Sequence, residues 1–304
     1  MDLTKKSENG PLVWAVIPVY NRVDITLNFL KNIKSISYQN LRVVVVDDGS
    51  TDSTDLMIRL NFPNIPVLAG HGDLWWSGAT NMGIRYALDH GAEFILTIND
   101  DSEFEYDFLD KMLQVARQNK QYIVGCRIHR QDKLDTVWSI GTSLILKGSD
   151  IFSLNFVDQK WADVCTQVKP IFPVDCMPGN GVLFPRSVFD ETGFYNENST
   201  PQYHADSDLV LRAVQKNYQA VIATKAVIYN HIISEPLVDN VIDLIFSKKS
   251  DRYWRACWLI LSLYAPLRKR YFLMVNQYLK FLIPARMKKI IKPFIVVLRS
   301  ISSK

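Results

Sequence analysis

Three acidic clusters carry the chemistry open to this sequence. Asn99-Asp100-Asp101 ends one apolar run, Asp47-Asp48 ends another, and Asp206 and Asp208 stand ahead of a late helical stretch. Adjacent carboxylates repel each other, and a shared cation or polyhydroxyl ligand relieves that repulsion. A Mg²⁺ or Mn²⁺ ion holding a diphosphate is one such partner. The plainer reading is local, because acidic residues beside Ser or Thr also cap turns and helix starts. Asp47 reads best as a turn cap, and Asp208 as a helix cap or the i,i+4 partner of Arg212. Trp75-Trp76 lies in a Gly-containing stretch and reads as a loop platform on which a sugar ring stacks, with core burial as the alternative.

These clusters need elements to position them. Residues 94–98 form a short run of mostly bulky or β-branched side chains, the mark of a strand buried on both faces. Residues 13–17 and 42–46 are of the same kind. Helical spacing covers 25–33, the stretch ending at Leu60, 81–88 and 106–118, and a further strand covers 122–126. This alternation predicts an α/β fold with a doubly wound parallel sheet. Ligands bind such sheets at the carboxyl ends of the strands, where the acids lie. The second half is less regular. It holds a sheet or hairpin at 136–147, a strand at 182–184, a helix over 209–216 and a last strand at 227–229, ending near His231. Composition changes after Glu235-Pro236, which divides the chain into 1–235 and 236–304.

The 304 residues are 48% apolar, enough for a sizeable core, and carry a net charge of +4. That charge hides a split: 248–304 holds 14 Lys/Arg against one acid, Asp251. The basic residues alternate with Trp254, Trp258, Tyr264, Phe272, Tyr278 and Phe281. This mixture fits an amphipathic element on an anionic membrane surface and argues against nucleic acid. Packing of these aromatics against the preceding domain is the alternative. The longest uncharged run, 256–267, has twelve residues and contains Pro266, whereas a span needs about 20. Four scattered Cys suggest reduced thiols, and the N-terminus lacks an apolar signal-type core. A cytoplasmic protein, peripheral on the inner face of the membrane, is expected. No GxGxxG, GxxxxGK[ST] or GxSxG motif is present, which argues against dinucleotide-binding, P-loop and α/β-hydrolase chemistry.

The ordered set Ile17-Pro18-Val19-Tyr20-Asn21-Arg22, Asp47-Asp48-Gly49-Ser50-Thr51-Asp52, Asn99-Asp100-Asp101 and His204-Ala205-Asp206-Ser207-Asp208-Leu209 with Arg212 resembles the family-2, GT-A-fold glycosyltransferases. Pro178-Gly179-Asn180-Gly181 and Asn196-Glu197 look like that family's following segment. The resemblance covers about 13–231 and leaves the basic block outside. It implies an inverting transferase taking a UDP- or dTDP-sugar to a saccharide or lipid-linked acceptor of a surface polysaccharide. A dTDP-rhamnose-specific enzyme and a non-catalytic saccharide- or membrane-binding module are the alternatives. By the same resemblance Pro18 and Tyr20 border the nucleotide base, Asp48 bonds the base, and Asp100 contacts the ribose. Trp76 belongs to the donor site, Asp101 holds the divalent metal, His231 adds a metal or phosphate contact, and Asp206 is the general base. Two departures stand out. Asn99 replaces the first acid of a strict DxD, and Thr80 stands where many relatives carry Arg.

Overall fold

The computed structural model describes residues 10–147, 150–231 and 240–282. Its first half alternates as expected: β1 (Val13–Val19), α1 (Val23–Ile33), β2 (Leu41–Asp47), α2 (Thr54–Asn61), β3 (Val67–Ala69), α3 (Trp75–Asp89) and β4 (Phe94–Thr97). After the acid pair come β5 (Ser102–Phe104), α4 (Phe108–Ala116), β6 (Tyr122–Arg130) and β7 (Lys133–Ser139). The hairpin of β8 (Thr142–Lys147) and β9 (Asp150–Leu154) precedes α5 (Trp161–Val164) and β10 (Ile171–Pro173). Then follow β11 (Val182–Pro185), α6 (Arg186–Thr192), α7 (Ala205–Val214) and β12 (Gln219–Asn230). Three helices end the described chain: α8 (Val241–Phe246), α9 (Trp254–Tyr264) and α10 (Leu267–Leu282).

The central sheet runs β10-β12-β6-β11-β4-β1-β2-β3, with β5 beside β12 and β7 beside β6. Strands β1 to β4 pair in parallel, as does β12 with β6. The short β11 enters antiparallel between β4 and β6, so the sheet is mixed rather than purely parallel. Two apolar layers cover its faces: Phe29, Leu30, Phe108 and Met112 on one, and Ile84, Phe184, Leu209 and Val210 on the other. The chain runs outward from β1 to β2 and β3, then crosses back through α3 to β4 on the other side of β1. The crevice at this reversal, between β1 and β4, is where an open α/β sheet binds ligands.

Three expectations shift. The double Trp lies in the first turn of α3 rather than in a loop. Helix α7 begins at Ala205, so Asp206 and Asp208 belong to its first turn rather than preceding it. Strands β6 and β12 run longer than the periodicity indicated. The expected boundary at 235/236 falls outside the described residues. Helix α9 places Cys257, Ile260 and Leu261 against Ile151 of the β8–β9 hairpin. Part of the basic-aromatic block therefore packs on protein. No helix among the described residues is long and apolar enough to cross a membrane. Cys126, Cys176 and Cys257 are buried free thiols.

Candidate functional site

The loops leaving β1 and β4 are joined across the crevice by one guanidinium. Arg22 Nη1 reaches Asp100 Oδ1 at 2.7 Å, and its Nη2 reaches Asp101 Oδ2 at 3.0 Å. Each is a charge-assisted hydrogen bond, and the one guanidinium bridges two carboxylates. Asp100 is fully enclosed, and its second oxygen accepts the Thr26 hydroxyl at 2.7 Å. Burial holds the Asp100 carboxyl above the usual carboxylate range, against the opposing pull of Arg22 and Thr26. Arg22 and Thr26 thus each hold one of its two oxygens. Asp101 differs. Its Oδ1 is buried and has no hydrogen-bond partner.

Beside this pair lies a cleft of about 500 Å³, lined by Pro18, Tyr20, Arg22, Asp48, Trp75 and Trp76, with Gln202 and Lys249. Asp48 organises it. Its Oδ1 accepts the Gly72 N–H at 2.9 Å and its Oδ2 the Trp75 N–H at 3.0 Å. The first turn of a helix leaves its N–H groups without intrahelical partners. In α3 these are met from a distance: Trp75 by Asp48, Trp76 by Gln202 Oε1 at 3.4 Å, and Ser77 by the Pro201 carbonyl at 2.9 Å. The residue before the helix, Leu74, offers no side-chain cap. Asp47 accepts the Ser50 N–H at 2.9 Å, the expected turn cap. Thr80 is fully buried and bonds the Trp76 carbonyl, so position 80 sends no polar group into the cleft.

The indole N–H of Trp76 donates to Asn99 Oδ1 at 3.0 Å, so the asparagine replacing the first acid holds the aromatic wall. That ring lies over Gly179, where an added Cβ would stand 2.7 Å from the indole edge and 3.1 Å from Asp206 Cβ. Trp76 and Asp206 are thus neighbours across a glycine that admits no side chain. Asp206 Oδ2 accepts the Gly179 N–H and its Oδ1 the Ser207 N–H, both at 2.7 Å. Burial pushes this carboxyl above its ordinary range, while the Ser207 and Gly179 N–H groups and the nearby His204 draw it back. A raised carboxyl at a helix start has the character of a general base. Asp208 instead bonds Arg212 Nε at 2.9 Å, and Arg212 also holds the Thr192 and Phe194 carbonyls.

Asn180 binds the floor together. Its Oδ1 accepts the Asn99 N–H at 2.9 Å, and its Nδ2 donates to Ser102 Oγ and Asn230 Oδ1. Antiparallel pairing sets Asn230 opposite Ser102, and the exposed His231 follows directly after β12. Among the described residues no three His, Cys, Asp or Glu side chains converge as a closed metal cage. A Mg²⁺ or Mn²⁺ ion does not need one, since such ions are held through one or two carboxylates plus substrate phosphates. The unpartnered Asp101 Oδ1 fits that requirement.

Pro18, Tyr20, Asp48 and Trp76 line one cleft, Asp101 adjoins it through Arg22 and Asp206 through Gly179, while no contact joins the exposed His231 to them among the described residues. Sequence reasoning gave no role to Arg22, Asn180, Gln202, His204 or Lys249. The first was within reach, because Arg22 is the cation in the segment directly after β1 and three carboxylates await a counter-charge.

The sequence model described as glycosyl transferase family 2 matches residues 14–172. A UDP-N-acetylglucosamine–dolichyl-phosphate N-acetylglucosaminyltransferase of Methanococcus voltae is 30% identical over 133 residues, 38% of this chain and 52% of that protein. The low-salt glycan biosynthesis hexosyltransferase Agl10 of Haloferax volcanii is 25% identical over 189 residues, 62% of this chain and 58% of that protein. The chain thus spans between half and two thirds of the length of these relatives. Among solved structures, the GalNAc-T7 complex with UDP, GalNAc and Mn²⁺ superposes with a TM-score of 0.68 at 12% identity, covering 94% of this chain and 55% of that one. The mannosyltransferase PcManGT of Pyrobaculum calidifontis, with GDP-Man and Mn²⁺, gives 0.55 at 18% identity, covering 88% and 69%. These two share the fold.

Proposed function

Because the chain belongs to glycosyl transferase family 2, we propose that it moves a sugar from a UDP- or dTDP-activated donor to a saccharide or lipid-linked acceptor, with inversion. The observation that carries this reading is a cleft at the β1–β4 crevice lined by Asp48 and Trp76, with Asp101 bonded to the lining Arg22 and Asp206 beside Gly179, under the Trp76 ring. The Methanococcus relative joins a UDP-sugar to a lipid phosphate by name, which supports a lipid-linked acceptor.

Pro18 and Tyr20 border the base, and Asp48 meets the base N–H through lone pairs beyond those that hold Gly72 and Trp75. Trp76 gives the donor sugar an apolar face. Asp101 Oδ1 and His231 would hold a divalent ion with the diphosphate. That ion supplies neutralisation of the charge left on the departing group. The Mn²⁺ complexes of both structural neighbours support this assignment. The acceptor hydroxyl attacks the anomeric carbon, the bond to the diphosphate breaks, and Asp206 takes the hydroxyl proton. One base and no protein nucleophile give a single displacement and an inverted anomeric centre.

Incubation with a panel of UDP- and dTDP-sugars, with Mg²⁺ or Mn²⁺, tests the reading through slow donor hydrolysis. Turnover of at least one donor is expected, and absence of turnover and of nucleoside diphosphate binding would overturn it. Segment 236–304 is proposed to hold the enzyme at an anionic membrane surface. Support comes from α10, whose Leu267, Tyr271, Val275 and Leu279 lie exposed on one side beside Arg268 and Lys269. Changing those four residues to Ser should abolish flotation with anionic liposomes and leave donor turnover intact.

A further inference from the structure

The cleft has a wall from outside the stretch that carries the family resemblance. The loop 247–253 follows α8 and is braced from within: Ser250 Oγ donates to the Leu244 carbonyl at 2.6 Å and accepts the Arg252 N–H at 3.0 Å. It is fastened to the catalytic helix as well, because His204 Nε2 meets the Asp251 carbonyl at 2.8 Å, two residues before Asp206. Lys248 Nζ lies 5.5 Å from the centre of the Trp75 ring, a cation–π contact with the cleft's aromatic wall. Its neighbour Lys249 lines the cleft itself and has no carboxylate partner among the described residues.

Charge gives this loop a purpose. Asp48 lines the cleft, and the one other cation lining it among the described residues, Arg22, is held by Asp100 and Asp101 behind it. A diphosphate entering that field meets an excess of negative charge. Position 80 holds a buried Thr and adds no charge there. We infer that Lys249 supplies the positive charge, hydrogen-bonding the donor diphosphate and stabilising it as it departs, while Lys248 and His204 lock the loop in place. The inference rests on the donor reading above. As the anomeric C–O bond breaks, its electron pair passes to the terminal diphosphate oxygen. The acceptor oxygen forms the new bond, and its proton goes to Asp206. The Lys249 ammonium keeps its protons throughout and acts through charge and hydrogen bonds.

Calorimetric titration of the full chain with UDP, dTDP, uridine and thymidine separates the possibilities. Lys249→Ala should lose roughly tenfold in affinity for the diphosphate that binds, as expected for one charge-assisted hydrogen bond at a partly solvated site. Nucleoside binding should be unchanged, and the loss of diphosphate affinity with rising salt should be shallower than in the wild type. Lys249→Arg should restore most of the affinity, and the distant surface change Lys120→Ala should alter nothing. Equal diphosphate affinity in the wild type and Lys249→Ala at every salt concentration would overturn the role of Lys249 and leave the donor reading standing. A wild-type chain that binds neither diphosphate would bring down both.

Discussion

Two carboxylates near the cleft, Asp100 and Asp206, differ in what faces them. Burial raises both above the ordinary carboxylate range. Asp100 meets a guanidinium and a hydroxyl that join loops 78 and 74 residues away in sequence. Asp206 meets two backbone N–H groups, with no Lys or Arg bonded to it. A cation turns a buried acid into a strut, because losing the charge would leave the cation unpaired. Backbone dipoles orient an acid without demanding that it stay charged, which leaves it free to take a proton. The same residue type is therefore a strut in one region and, on the proposed reading, the base in the other.

The largest expected effect breaks the chemical side of this comparison. Asp206→Asn should lower transfer roughly 10²- to 10⁴-fold, the usual contribution of a general base. Nucleoside diphosphate affinity and the circular dichroism spectrum should hold, and near-normal turnover would end the assignment. Arg22→Ala breaks the architectural side. Asp100 and Asp101 then face each other without a counter-ion, and stability in urea should fall by about 2–3 kcal/mol, less than for a fully buried pair because Arg22 is partly solvated. Adding Asp100→Asn to that variant should recover part of the loss.

A smaller effect separates the two donor-side acids. Asp101→Ala should weaken UDP or dTDP binding roughly tenfold only when Mn²⁺ is present, whereas Asp48→Ala should weaken it with or without metal. Loss confined to Mn²⁺ conditions in both variants would remove the base contact from Asp48. The smallest change, Thr26→Val, takes one hydroxyl from Asp100 and should cost about 1 kcal/mol in urea unfolding, with turnover unaffected.

Strands β1, β2 and β4 were legible because each holds a short apolar run, and the acids after β2 and β4 mark where such a run ends. The start of α3 was not, since its N–H groups are met by Asp48, Gln202 and the Pro201 carbonyl rather than by a neighbouring Ser, Thr or Asp. His204 hid the start of α7 in the same way. It adopts a left-handed φ of 67° and turns its ring toward Asp251 instead of capping the helix. Asp48, Asp100 and Asp101 could be read because their positions at strand ends are local facts. Arg22, Asn180 and Lys249 could not be assigned, as each gains its role only when distant segments meet.

The pH dependence of transfer tests the contrast between the two acids most directly. Asp206 works ionised, so raising its titration above the ordinary range makes the rate climb with pH through that raised value. By the same shift, its burial favours the folded state only below the ordinary carboxylate range, and that contribution is lost as pH rises through the raised value. Transfer should be followed from acid to neutral pH in the wild type, Asp100→Asn and Asp206→Asn. The predicted result is an acid limb above the ordinary carboxylate range, kept in Asp100→Asn and absent from the residual activity of Asp206→Asn. An identical limb in Asp206→Asn, or its loss in Asp100→Asn, would contradict the assignment of base and strut.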